Sequence, residues 1–124
     1  MERRVVLIAE DEVEIRELLA MLFEAEGFTV LQAADGQLAL NLVRENRDRI
    51  VLLVTDLGLP KLGGVDLISE ARALIPSLKV IAASGYGHAD VRAELLNIGV
   101  EEFFPKPFSP IELLATAKLI LGGV

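Results

Sequence analysis

The stretch Ile50 to Gly64, IVLLVTDLGLPKLGG, constrains the fold more than any other part of the chain. Its run Ile50-Val51-Leu52-Leu53-Val54 shows no alternation of apolar and polar side chains. That is the pattern of a strand covered on both faces, as in a parallel sheet flanked by helices. The run delivers one carboxylate, Asp56, to its carboxyl end, and a pliable loop with Gly58, Pro60, Gly63 and Gly64 follows. Ligands of such sheets bind beyond the carboxyl ends of the strands, so an acid there is placed to meet a phosphate or a metal. Aspartate also simply caps turns, and this stretch alone does not separate the two readings.

Arg4 to Ala9, RVVLIA, is a second unbroken apolar run, and it too ends on acids, Glu10 and Asp11. It predicts the first strand. Ile15, Leu18, Leu19, Leu22 and Phe23 then recur at helical spacing between Glu12 and Glu26, with Gly27 as the stop. Phe28 to Gln32 reads as the second strand, and Asp35-Gly36 opens a helix that runs to the charged cluster Arg44 to Arg49. After the third strand, already described, a helix is predicted from Gly64 or Val65 to Leu74, ended by Ile75-Pro76 because proline disfavours helix in the residue before it. Leu78 to Ala83 is a fourth strand leading to Ser84-Gly85, and a helix from about Ala89 to Asn97 follows. Glu101 to Pro105 is a short fifth strand ending at Lys106-Pro107-Phe108. Ser109-Pro110 starts the last helix, a serine cap with proline at the first helical position. The fold class is α/β: (βα)5, a doubly wound five-stranded parallel sheet with the flavodoxin-like strand order 2-1-3-4-5.

Composition narrows the chemistry. The absence of cysteine removes disulfides, thiolate metal sites and cysteine nucleophiles. Twelve Lys and Arg against 19 Asp and Glu give a net charge of -7 without a basic stripe, which speaks against direct nucleic-acid binding. No apolar run approaches the roughly 20 residues that span a bilayer, and the five apolar positions Val5 to Ala9 are too few for a signal peptide. A soluble, cytoplasmic chain with no membrane association is expected. Its 124 residues suit a single domain over 1–124.

Four strand ends carry polar groups: Glu10 and Asp11, then Asp56, Ser84 and Lys106. The second strand's end, Gln32-Ala33-Ala34, carries none of this kind. In the order 2-1-3-4-5 the four polar ends are neighbours, so they converge. Three carboxylates brought close repel one another unless positive charge compensates, and a divalent cation and Lys106 would supply it. Oxygen ligands without His or Cys select a hard ion such as Mg2+ or Mn2+. The set looks built for metal-assisted phosphoryl transfer.

Glu10-Asp11, Asp56 in DLGLP, Ser84 and Lys106 in KPF resemble the receiver domain of two-component response regulators, a chemotaxis-regulator-like phospho-acceptor domain. The resemblance covers essentially the whole chain. It implies phosphorelay signal transduction, with Asp56 accepting a phosphoryl group from a histidine kinase, a histidine phosphotransfer protein or a small phosphodonor. Asp11, Asp56 and the backbone carbonyl of Gly58 would ligate the metal, with Glu10 helping through water. Lys106 would pair with the phosphoryl oxygens, the Ser84 hydroxyl would close on one of them, and Lys106-Pro107 would be cis. Phe103 would be a switch aromatic that moves with Ser84 and changes the face made by helix four, strand five and helix five. The domain would catalyse its own aspartyl phosphorylation and dephosphorylation without being a turnover enzyme in the usual sense.

Departures and remainders are few. Glu10 stands where the family commonly has aspartate, Gly58 offers no side chain to orient an attacking water, and Tyr86 is bulky enough to shield an acyl phosphate, so slow to moderate self-dephosphorylation is expected. Glu12 and Glu14 read as solvated first-turn acids, His88 as a surface residue, and Phe104 as core. The alternative is a phosphorylation-independent interaction module on the same fold. A flavodoxin-type FMN carrier would meet repulsion from Glu10-Asp11-Glu12, and a haloacid-dehalogenase-type phosphatase expects an aspartate where Gly58 stands. The output is a downstream protein target or an attached kinase or effector domain, and Ser84-Gly85-Tyr86 resembles receivers attached to hybrid kinases.

Overall fold

The structure, a computed structural model, describes residues 4–85, 93–95 and 97–122. Five strands, β1 (Val5–Ala9), β2 (Thr29–Ala33), β3 (Ile50–Asp56), β4 (Lys79–Ser84) and β5 (Glu102–Pro105), form one sheet in the order β2-β1-β3-β4-β5, and every pairing is parallel. Between them run α1 (Val13–Ala25), α2 (Gly36–Glu45) and α3 (Gly64–Leu74), and a C-terminal helix (Pro110–Ile120) closes the chain. Of the helix expected over Ala89 to Asn97, residues 93–95 and 97 are helical and the rest lies outside the described residues. No helix among the described residues is long and apolar enough to cross a membrane.

The lack of alternation in the strands has the expected cause. All five β1 side chains are fully buried: Val5, Leu7 and Ala9 pack with Ala39, Leu40 and Val43 of α2 and Leu67, Ile68 and Ala71 of α3. Val6 and Ile8 pack on the other face with Leu19, Ala20 and Phe23 of α1 and Leu113 and Ala117 of the C-terminal helix. A register shift between Val5 and Val6, which leaves Val51 without a partner, sends Ile50 and Leu53 to the first face and Leu52 and Val54 to the second. From Leu52 onward the register is regular, and that fixes on which face Asp56 emerges. At the edge, β5 covers less: Phe103 and Phe104 are half-buried, so Phe104 packs against the α1 side of the core without being enclosed by it.

The helix starts follow their sequence signals. Leu38 N–H donates to Asp35 Oδ1 at 2.7 Å, and Glu112 N–H to Ser109 Oγ at 3.2 Å. The β3–α3 loop is tied to the first of these caps, because Gly36 N–H donates to Pro60 O at 3.1 Å. Here the chain holds Lys61 at a φ of 71°, a left-handed conformation for a residue with a Cβ. A Cβ on Gly36 would run into the Leu62 carbonyl, so the loop after Asp56 lies directly against the start of α2.

Gly36→Ala is therefore expected to lose about 2 kcal/mol of stability, an overpacking cost that exceeds the helix-propensity gain of alanine. Chemical denaturation measures it. Because the collision falls on the loop, amide resonances of residues 57–62 should shift most.

Candidate functional site

Register brings the carboxylates together. Ile8 pairs with Val54 and Ala9 with Thr55, so one step further opposes Glu10 to Asp56, both continuing the α1 side of the sheet. Glu10 N–H still donates to Ala33 O at 3.0 Å, which carries the β1 ladder that one residue on. On the other side Asp56 pairs with Ala83, and Ser84 with Pro105. Lys106 follows at once, its N–H donating to Ser84 O at 2.9 Å, and the Lys106-Pro107 peptide is cis.

From this position the Lys106 ammonium reaches back across the strand ends. Its Nζ lies 2.9 Å from Glu10 Oε1, 3.2 Å from Asp56 Oδ2 and 3.4 Å from Glu12 Oε1. Glu10 and Asp56 are buried, 3 % and 9 % exposed, whereas Glu12 is open to solvent. Burial therefore raises the Glu10 pKa, and the Glu12 N–H at 3.0 Å from Oε2 together with Lys106 only partly offsets it. Burial pulls the Lys106 pKa down, but the hydrogen bonds and charges of Glu10 and then Asp56 outweigh it, and the net shift is upward. One ammonium thus answers two buried carboxylates.

Asp11 adds a third. Ligand atoms of Glu10, Asp11 and Asp56 all lie within 4.8 Å of one another, and none is nitrogen or sulfur. An all-oxygen set with one lysine among several acids fits a hard divalent cation. Asp56 Oδ1 accepts the Gly58 N–H at 3.1 Å, which turns the loop back over the carboxylate. Beneath it the chain is tight, since a Cβ on Gly64 would come within 2.5 Å of Asp56 O and 2.6 Å of Leu57 Cα.

Two residues given no part in the chemistry stand in this site. Glu12, read as a solvated first-turn acid, is solvated but also pairs with Lys106. Arg16 donates from Nη1 to Glu10 O at 2.9 Å and from Nε to Gln32 Oε1 at 3.2 Å. No local signal separates these two from ordinary solvated charges on the first turn of a helix. Beside Lys106 an open groove of about 490 Å³ is lined by Glu12, Ile15, Leu18, Pro107 and Phe108, among others.

Residues 6–118 match the Response regulator receiver domain family. The chain belongs to this family. It is 33% identical over 116 residues to Sporulation initiation phosphotransferase F of Bacillus subtilis (strain 168), covering 94% of this chain and 92% of that one. It is 35% identical to the Transcriptional regulatory protein CpxR of Escherichia coli (strain K12), again over 94% of this chain but only 48% of the relative. The chain thus spans nearly all of one curated relative and about half of others. Among solved structures, a response regulator receiver domain protein from Clostridium thermocellum superposes with a TM-score of 0.85 at 29% identity, over 95% of this chain and 94% of that one. The receiver domain of the hybrid histidine kinase CckA gives 0.79 at 33%, over 94% and 98%.

In this receiver domain the remaining candidates fall as follows. Ser84 is half-buried at the end of β4, one position beyond the residue paired with Asp56. Phe103 sits on β5 opposite Ala82 and packs against the α2 and α3 side of the core. The space a side chain at Gly58 would occupy lies 4.0 Å from Asp56 Oδ1, and among the described residues, its chain neighbours aside, no other heavy atom comes within that distance. Tyr86 and His88 lie outside the described residues.

Removing Lys106 strands the buried Glu10 without its counter-ion. In metal-free buffer Lys106→Met should cost about 3 kcal/mol near neutral pH. The Glu10 pKa, already raised, then rises further in the folded state. The deficit is small at acid pH, where Glu10 holds its proton folded and unfolded, and grows as pH rises through the raised value. Urea denaturation from about pH 4 to pH 7 checks the sign.

Proposed function

We propose that Asp56 is the phospho-acceptor of this receiver domain and that phosphorylation switches it between two protein-binding states. The observation that carries the reading is the Lys106 ammonium held at 3.2 Å from Asp56 and 2.9 Å from Glu10, beside a third carboxylate. Phosphoryl transfer asks a protein mainly for positioning and for neutralisation of charge on the equatorial oxygens. The groups at these strand ends suit both tasks.

In the reaction an Asp56 carboxylate oxygen attacks phosphorus. The bond from phosphorus to the leaving group, a histidine imidazole nitrogen or the oxygen of a small phosphodonor, breaks with its electron pair going to the leaving atom. Asp11, Asp56 and the Gly58 carbonyl would hold Mg2+ or Mn2+, with Glu10 assisting through water. The bound ion supplies positive charge against the phosphoryl oxygens. Lys106 shifts from the carboxylates to a phosphoryl oxygen, and the Ser84 hydroxyl hydrogen-bonds another. Gly58 places no side chain beside the product to align a hydrolytic water, so self-dephosphorylation is slow to moderate.

The donor is a histidine kinase or a histidine phosphotransfer protein. Ile15, Leu18 and Phe108 line a groove next to Lys106 that an apolar helical partner could fill while presenting its phosphohistidine to Asp56. Movement of Ser84 toward the phosphoryl group draws Phe103 with it and changes the face built on β5 and the C-terminal helix, together with the segment before β5. The receiver works as a single domain over 1–124 in the cytoplasm. Its target is a downstream protein or a kinase or effector domain attached to it.

Asp56→Asn should abolish phosphate uptake from a small phosphodonor while keeping the folded amide spectrum. Undiminished uptake by that variant sinks the reading. Beryllofluoride with Mg2+, which mimics an aspartyl phosphate, should shift amides at Ser84, Phe103 and Lys106 in the unaltered chain. Their failure to move would leave the domain as a phosphorylation-independent module.

A further inference from the structure

Among the described residues, Asp11 is the member of the acidic cluster that nothing holds directly. Its carboxylate is exposed and makes no hydrogen bond or ion pair with any described residue, whereas Glu10 and Asp56 are each fixed by Lys106 and by a backbone N–H. Where the Asp11 side chain points is therefore decided by its backbone, and above all by the Glu10–Asp11 peptide. That peptide is anchored from outside the site. Its carbonyl, Glu10 O, accepts the Arg16 Nη1–H at 2.9 Å, while Glu10 N–H on the other side stays in the β1–β2 ladder with Ala33 O at 3.0 Å.

Arg16 is itself held on two sides. Its backbone N–H donates to Glu12 O at 3.0 Å within the first turn of α1, and its Nε–H donates to Gln32 Oε1 at 3.2 Å at the end of β2. A guanidinium is planar and presents its donors in a fixed fork, so two bonds in one plane fix orientation as well as distance. The β2 end, which carries no chemistry of its own, is thereby joined to the site.

We propose that Arg16 is a positioning residue for the divalent-cation site: braced by Gln32, it sets the Glu10–Asp11 peptide so that Asp11 completes the oxygen cluster with Glu10 and Asp56. The proposal rests on the reading that this cluster takes up a divalent cation. Charge and geometry make opposite predictions for it. Arg16 is a cation near the site, so by charge alone its removal tightens Mg2+ binding. If its role is to aim Asp11, removal weakens binding, as loss of a partner that orients a metal ligand does.

The test is the Mg2+ dissociation constant of the full chain, stripped with chelator and titrated with Mg2+ while amide resonances of residues 10–12 and 58 are followed. Arg16→Ala should bind roughly tenfold more weakly. Arg16→Lys, which keeps the charge but not the fork, should fall between it and the unaltered chain. Gln32→Ala removes only the exposed brace, so it should fold even where Arg16→Ala does not, and it should weaken Mg2+ by a smaller factor. Unchanged or tighter binding by Arg16→Ala, or unaltered affinity in Gln32→Ala, overturns the proposal. An unaltered chain that takes up no Mg2+ overturns the reading of the site as well, whereas normal uptake in it together with normal uptake in the variants overturns only the role of Arg16.

Discussion

The ion pair of Lys106 with Glu10 and Asp56 is the interaction on which the rest depends. Two carboxylates sit at the ends of adjacent central strands, nearly closed to water, and a single ammonium from the edge strand answers both. Burying charge is costly, and one cation for two acids does not cancel the cost; the raised pKa of Glu10 is the visible sign of the imbalance. A core built for stability alone would place apolar side chains there. The strands instead spend their apolar residues below the site, where β1 is wholly buried, and leave their carboxyl ends charged.

Lys106 reaches the pair only because three alignments hold together. The register shift at Val51 sets the face on which Asp56 emerges, the pairing of Ser84 with Pro105 places Lys106 one step beyond β4, and the Lys106 N–H bond to Ser84 O ties the two strand ends. A slip of one residue in either strand would turn the acid or the lysine to the opposite face of the sheet. The site is thus a product of sheet register first and of side-chain chemistry second. The loop after Asp56 is held in the same way from a distance, by Gly36 N–H on Pro60 O and by the close approach of Gly64 to Asp56 O.

Strand identity and the helix caps at Asp35 and Ser109 were legible in the sequence because each rests on local signals: unbroken apolar runs, an acid or serine before a helix, and proline at a helix start; strand order followed from the alternation of strands and helices, which points to a doubly wound sheet. The convergence of Glu10, Asp11, Asp56 and Lys106 was legible because strand order turns residues far apart in the chain into neighbours. The bulge at Val51 was not, since one extra apolar residue in an apolar run leaves no trace in the pattern. Nor were the links of Glu12 to Lys106 and of Arg16 to Glu10 O and Gln32. A charged residue on the first turn of a helix looks the same whether it faces solvent or bends back over a strand end, and only the packing of α1 on the sheet decides. Phe104 looked like core because its strand is apolar, but the exposure of an edge strand depends on what lies beyond it.

This chain matches nearly the whole length of one relative and about half the length of others. The acids, the lysine and the serine occupy the carboxyl ends of the strands, whereas the faces available to partners are made by helices whose inner sides pack on the sheet. A change of charge at Asp56 is felt first by groups bonded to it, Lys106 and the Gly58 loop, and through Lys106 by the end of β4 and the start of the C-terminal helix. Outer surfaces can vary without disturbing that inner circuit.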